Sequence, residues 1–319
     1  MIYPEPVIGI VTIDPPKSIT RRNPRVKGLI PSSYKKWVEQ TGARPVVIPH
    51  FASENLLKKL ISQVNGILFI GGAPDLLDKQ KRPTTLMKKL ALIYKLALEE
   101  NEKTNGNFPL WGTCLGFEAI VFAHSNYKVR LSRPDSLNEL YAINFVKSSM
   151  KGGLFEKYMS PSILSYLEDK KVTYFNHHHG FTVEDFKSIG QLARDYNVVA
   201  YYEKDNKRYV VAIQHKRFPI VGVQFHPEKV LYEHKNRVKV RLTMEASIAS
   251  QEMSRMLFGP SLMNPNMFSS PEVLSHLLFE SFSSVKTKGM FESVFLFTQE
   301  YFHPEEMDYV PTSKVTTEI

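Results

Sequence analysis

Pro-Leu-Trp-Gly-Thr-Cys-Leu-Gly-Phe-Glu, residues 109–118, joins a short apolar run that stops at Gly112 to a helical pattern that begins at Leu115. Cys114, the single cysteine of the 319-residue chain, falls on the turn between them. A strand that passes directly into a helix is the building unit of an α/β sheet, and a lone thiol on such a turn is a candidate nucleophile. The plain alternative is a small buried hydrophobe. Glycines at 112 and 116 leave room for a tight bend that projects the sulfur outward. The helix N–H groups opening at Leu115 are expected to lower the thiol pKa toward the attacking thiolate.

Val-Gly-Val-Gln-Phe-His-Pro-Glu, residues 221–228, is a second apolar run, and it ends in a base and a carboxylate. Side chains alternate in extended chain, so His226 and Glu228 are expected on one side with Pro227 restricting the backbone between them. Together with Cys114 they can form a Cys-His-Glu triad in which Glu228 orients His226. Active sites of open α/β sheets lie beyond the carboxyl ends of strands, where both motifs fall.

The rest of the chain supports such a sheet. Apolar runs at 7–12, 45–48 and 66–70, with the run after Pro109 that stops at Gly112, read as strands, and helical patterns lie between them. The first helix starts at Ser33 with Ser32 as its cap and turns Tyr34, Trp37 and Val38 inward. Another covers 55–63 behind Ser53, and a third spans 84–101. Strand and helix alternate, which implies parallel pairing and places Cys114 after the fourth strand. Beyond Ala123 the runs 141–145, 171–175, 198–203, 209–215 and 220–224 read as partly antiparallel strands. Residues 237–258 read as a final helix, with Leu242, Met244, Ile248, Met253, Met256 and Leu257 on its inner side and Gly259-Pro260 as its stop.

Four motifs occur in one order: Asn-Gly-Ile-Leu-Phe-Ile-Gly-Gly (65–72), Gly-Thr-Cys-Leu-Gly-Phe-Glu (112–118), Asn-His-His-His-Gly (176–180) and Gln-Phe-His-Pro-Glu (224–228). With the opening Pro-Val-Ile-Gly-Ile (6–10) and Ser-Ser-Tyr-Lys-Lys-Trp (32–37), the chain resembles the γ-glutamyl hydrolase family of the class I glutamine amidotransferase-like superfamily over about residues 6–260. The resemblance implies a three-layer α/β/α sandwich with a mostly parallel central sheet. It also implies cleavage of γ-glutamyl amide bonds, of folate poly-γ-glutamates above all, through Cys114, His226 and Glu228 and a γ-glutamyl-enzyme intermediate. Leu115 and Gly72 would supply the oxyanion donors, and His178 is the matching position for a histidine beside the nucleophile. The alternative within the superfamily is a glutaminase that delivers ammonia to a synthetase partner. A binding protein without catalysis would be expected to lack one of the three triad residues.

No cofactor and no metal are expected, because three adjacent imidazoles make poor chelators. The net charge of +9 invites a nucleic-acid reading, but the basic residues are scattered over several elements without a recognised motif. A small-molecule substrate is expected instead, whose anionic tail a positive field would attract. No stretch reads as a membrane span. Family resemblance implies a vacuole, lysosome or extracellular location, whereas a native start at Met1 without a leader implies the cytoplasm. One catalytic domain is expected over 1–259. Residues 260–319 read as an apolar-rich extension packed on the core or at a subunit interface, which leaves a homodimer open. Its helix would run over 271–283 behind Ser270 and its strand over 292–301, with 315–319 frayed.

Overall fold

The computed structural model describes residues 5–302. Its strands are β1 (Val7–Val11), β2 (Val26–Pro31), β3 (Arg44–Ile48), β4 (Gly66–Phe69), β5 (Leu110–Thr113), β6 (Ser136–Tyr141), β7 (Asn144–Phe145), β8 (Thr173–His177), β9 (Tyr196–Lys204), β10 (Lys207–His215), β11 (Ile220–Val223), β12 (Ser284–Lys286) and β13 (Ser293–Thr298). The main sheet runs β3-β1-β4-β5-β11-β10-β9-β7. Strands β3, β1, β4, β5 and β11 are parallel, and β10, β9 and β7 extend the sheet antiparallel. Buried on both faces, the parallel strands read as the unbroken apolar runs that such a position demands. Helices 32–39, 227–232 and 244–261 cover one face, and 54–61, 85–103 and 115–124 cover the other. This is the α/β/α sandwich that the resemblance implies, with the parallel pairing that the alternating pattern predicts.

Local chemistry sets several boundaries. Ser53, Thr84 and Ser270 each accept the N–H of the residue three positions on, and these bonds start helices 54–61, 85–103 and 271–277. Trp37 donates to Ser250 Oγ at 3.2 Å, and Ser250 donates to the Pro227 carbonyl at 2.7 Å. That chain of bonds ties three helices of one face together behind the site.

Two expectations are corrected. Helix 244–261 starts at its Thr243 cap and not at 237, so its buried face is Ala246, Ala249, Met253, Met256 and Leu257, while Leu242, Met244 and Ile248 are exposed. The helix also continues through Gly259-Pro260 to Ser261, because a proline this near the end removes only one intrahelical bond. Strand β2, absent from the pattern reading, pairs antiparallel with β13, so a three-stranded sheet β12-β13-β2 fastens the C-terminal segment to the N-terminal part. The first residue of the segment expected to fray, Val315, lies with its neighbours outside the described residues. No helix among the described residues is long and apolar enough to cross a membrane.

Candidate active site

Strands β5 and β11 are direct neighbours in parallel register, Thr113 opposite Val223. The residues that follow them therefore leave the sheet side by side, and the Cys114 N–H donates to the Val223 carbonyl at 2.7 Å. Cys114 has φ 51° and ψ −104°, a conformation that side chains with a Cβ avoid and that marks a strained strand-to-helix elbow. The flanking glycines are needed for contact as well as for bending. A Cβ on Gly116 would stand 2.3 Å from the Phe69 carbonyl oxygen, and one on Gly112 would stand 2.6 Å from the Gly116 oxygen.

The thiol is 4 % exposed. Burial pushes its pKa above the ordinary cysteine range, Glu118 and Glu228 push it further, and Lys229 and the Leu115 N–H only partly oppose them. A helix start depresses a thiol pKa, and here desolvation outweighs it. Gln224, the residue after β11, bridges the thiol and its neighbouring acid. Its Nε2 lies 3.3 Å from Glu118 Oε1 and 3.7 Å from the Cys114 sulfur. Burial raises Glu118 to about 8, so at neutral pH it is mostly the uncharged acid.

His226 caps helix 227–232, with Pro227 at the first helical position. His226 and Glu228 meet through this helical turn rather than through extended chain. Nδ1–H of His226 donates to Glu228 Oε1 at 2.8 Å, with both residues buried. Burial lowers the imidazole pKa, and the neighbouring Glu228 charge works against that. The fixed Nδ1–H leaves Nε2 as the free lone pair, and it has no protein partner among the described residues. A methyl group on Gly71 would lie 2.8 Å from His226 Cε1 and 3.3 Å from Cys114 Cβ. Cys114 Cβ and the edge of the His226 ring thus both border this glycine. The Gly71 N–H itself donates to Tyr34 Oη at 2.8 Å, which removes it as an oxyanion donor. Gly72 packs against Ile13.

His178 is displaced from its expected place. Its side chain is 52 % exposed and its Nδ1–H donates to Asp135 Oδ1 at 2.7 Å. The imidazole close enough to feel the His226 charge is His177, because β8 extends through residue 177 and the turn begins only after it. His177 is buried, its Nδ1–H donates to the His179 carbonyl at 2.5 Å, and burial lowers its pKa to about 4. The antiparallel β6-β8 pair is brought in by the His226 N–H, which donates to the Tyr174 carbonyl at 3.0 Å. A strand pattern carried two residues past Phe175 is the signal that singles out His177. Gln224 and Tyr34 fall inside the quoted motifs 224–228 and 32–37, but what they touch, like the place of Lys229, is set only by the tertiary fold. Among the described residues, no group of three or more His, Cys, Asp or Glu side chains is placed to hold a metal.

Against this geometry the comparisons with known proteins are specific. A family model described as Peptidase C26 matches residues 6–228. The γ-glutamyl hydrolase B of Dictyostelium discoideum is 31% identical over 284 residues, 88% of this chain and 79% of that one. The γ-glutamyl hydrolase of Homo sapiens is 26% identical over 295 residues, 92% of this chain and 90% of that one. The γ-glutamyl hydrolase 1 of Arabidopsis thaliana is 28% identical over 300 residues, 92% of this chain and 83% of that one.

Proposed function

The chain belongs to the peptidase C26 family, and from that membership we propose that it hydrolyses γ-glutamyl amide bonds of folate poly-γ-glutamates, with Cys114, His226 and Glu228 as its triad. One observation supports the reading: Cys114 on a strained elbow and His226, clamped by Glu228 at 2.8 Å, follow adjacent parallel strands and both border Gly71.

The raised thiol pKa fits proton transfer during attack rather than a standing ion pair. As Sγ bonds to the γ-carbonyl carbon, its proton passes to His226 Nε2 and Glu228 steadies the imidazolium. The oxyanion collects at the Leu115 and Gly72 amides, each worth roughly 3–4 kcal/mol of barrier. Collapse of the adduct breaks the C–N bond, and His226 hands its proton to the leaving amine. A water, deprotonated by the same nitrogen, then attacks the thioester, and the thiol is regenerated as the glutamate carboxylate leaves. Gln224 and Tyr34 hold the thiol's surroundings and the Gly71 turn, and His177, neutral above about pH 4, adds no cation beside His226.

The test is incubation of wild type and Cys114→Ala with pteroylpolyglutamate, glutamine and a γ-glutamyl dipeptide, with products separated by chain length. Shortened tails from wild type and a loss of at least about 10⁴-fold in the alanine variant are expected. Ammonia from glutamine as the sole product, or wild-type rates in the variant, would reject the assignment.

A further inference from the structure

Lys229 is a lysine where burial disfavours one. It is 1% exposed, on the first turn of helix 227–232, directly after Glu228. Its ammonium lies 5.4 Å from the Tyr174 ring centroid and 5.0 Å from that of Phe291. Among the described residues it makes no hydrogen bond and no ion pair. Glu228, Glu233 and Cys114 act on it only as charges at a distance, and burial lowers its pKa. A buried cation with aromatic faces and no acceptor among the described residues is costly, and a methionine of the same length would fill the space more cheaply.

Its location suggests what completes it. The Tyr174 ring lies 6.1 Å from the His226 ring and 5.4 Å from the Lys229 ammonium, so this one ring borders both the proposed base and the cation. Phe291 arrives from the hairpin between β12 and β13, whose Glu292 N–H donates to Glu233 Oε2 at 2.6 Å. In a γ-glutamyl group the α-carboxylate carbon sits four bonds from the scissile carbonyl, about 5 Å when extended. That reach suits a cation set beside the base.

We propose that Lys229, held between Tyr174 and Phe291, binds the α-carboxylate of the γ-glutamyl group and so distinguishes it from other amides. This rests on the hydrolase reading above and adds a specificity residue to it. The competing role is a structural counter-charge for Glu228 and Glu233.

The experiment compares Lys229→Met with wild type on two anilides, γ-glutamyl-p-nitroanilide and 4-aminobutyryl-p-nitroanilide, the second lacking only the α-carboxylate. The expected result is a loss of about 100-fold in kcat/KM on the first and less than about threefold on the second. Equal losses on both, or no loss on either, overturn the proposal. Thermal melts check folding, and Lys229→Gln repeats the measurement if the methionine variant does not fold. Should wild type cleave neither anilide, its action on pteroylpolyglutamate still decides the hydrolase reading, and alkylation of Cys114 by iodoacetamide tests the carboxylate site by itself. Protection by L-glutamate but not by 4-aminobutyrate, in wild type and not in Lys229→Met, supports carboxylate binding. Equal protection by both compounds overturns it.

Discussion

Glu118 shows how much one buried carboxyl decides here. Its folded pKa of about 8 stands well above the ordinary 4.5, so between those values the folded protein holds a proton that the unfolded chain has released. The stability this confers is complete below about pH 4.5 and is lost as pH rises through 8. Glu118→Gln, which can still accept from Gln224, removes that loss. It should match wild type near pH 4.5 and exceed it at pH 8 by roughly 3–5 kcal/mol, since each tenfold change in proton affinity is worth about 1.36 kcal/mol. Melting curves at the two pH values measure the difference, and a constant offset would contradict it. Ionised Glu118 also opposes charge building on the sulfur, so wild-type kcat/KM should fall above about pH 8 while the glutamine variant keeps its rate. Coincident alkaline limbs would separate Glu118 from the chemistry. Cys114, His226 and Glu228 were legible as residue types in short motifs, but the protonation of the thiol was not. Helix starts are written locally, whereas burial among Glu118, Glu228 and Lys229 comes from segments more than 100 residues apart.

Elements explain why the site keeps its shape. The elbow needs both glycines, and Gly116→Ala would drive a methyl group to 2.3 Å from the backbone oxygen of Phe69, which cannot swing away as a side chain could. A cost of about 1–3 kcal/mol or more is expected, with kcat falling because the nucleophile shifts. Denaturant midpoints and kcat report the two effects, and wild-type values for both would contradict the close packing. Thr243→Ala is the gentler control. It removes the hydroxyl that accepts the Ala246 N–H at 3.1 Å, costs about 1 kcal/mol, and should leave kcat unchanged. The parallel core was legible because β1 and β4 are apolar throughout, β3 and β5 carry only Arg44 and Thr113 at their ends, and helical patterns lie between them. Strand β2 was not, since its partner β13 lies over 260 residues away in sequence. Leu242 and Met244 fit the spacing of helix 244–261 and so read as part of its inner side, yet spacing does not reveal which face a cap turns to solvent.

At the scale of the whole molecule, part of the net charge of +9 is set beside the site. The irregular segment 235–242 carries Arg237, Lys239 and Arg241 on its exposed side. It is tied to the site, because the Lys239 N–H and the Tyr174 hydroxyl both donate to Asn138 Oδ1, at 2.9 and 3.1 Å. An anionic poly-γ-glutamate tail approaching Cys114 would meet this basic strip, while a γ-glutamyl dipeptide presents too few charges to profit equally. Screening acts over about 10 Å at 0.1 M salt and spares bonds inside the closed site. Raising ionic strength from about 0.01 to 0.5 M should therefore lower kcat/KM several-fold for a long tail and less than about twofold for the dipeptide, with kcat unchanged for both. Lys239→Glu combined with Arg241→Glu should flatten the long-tail dependence without altering dipeptide turnover. Identical salt slopes for the two substrates, or an unchanged slope in the double variant, would confine the basic strip to an ordinary solvated surface.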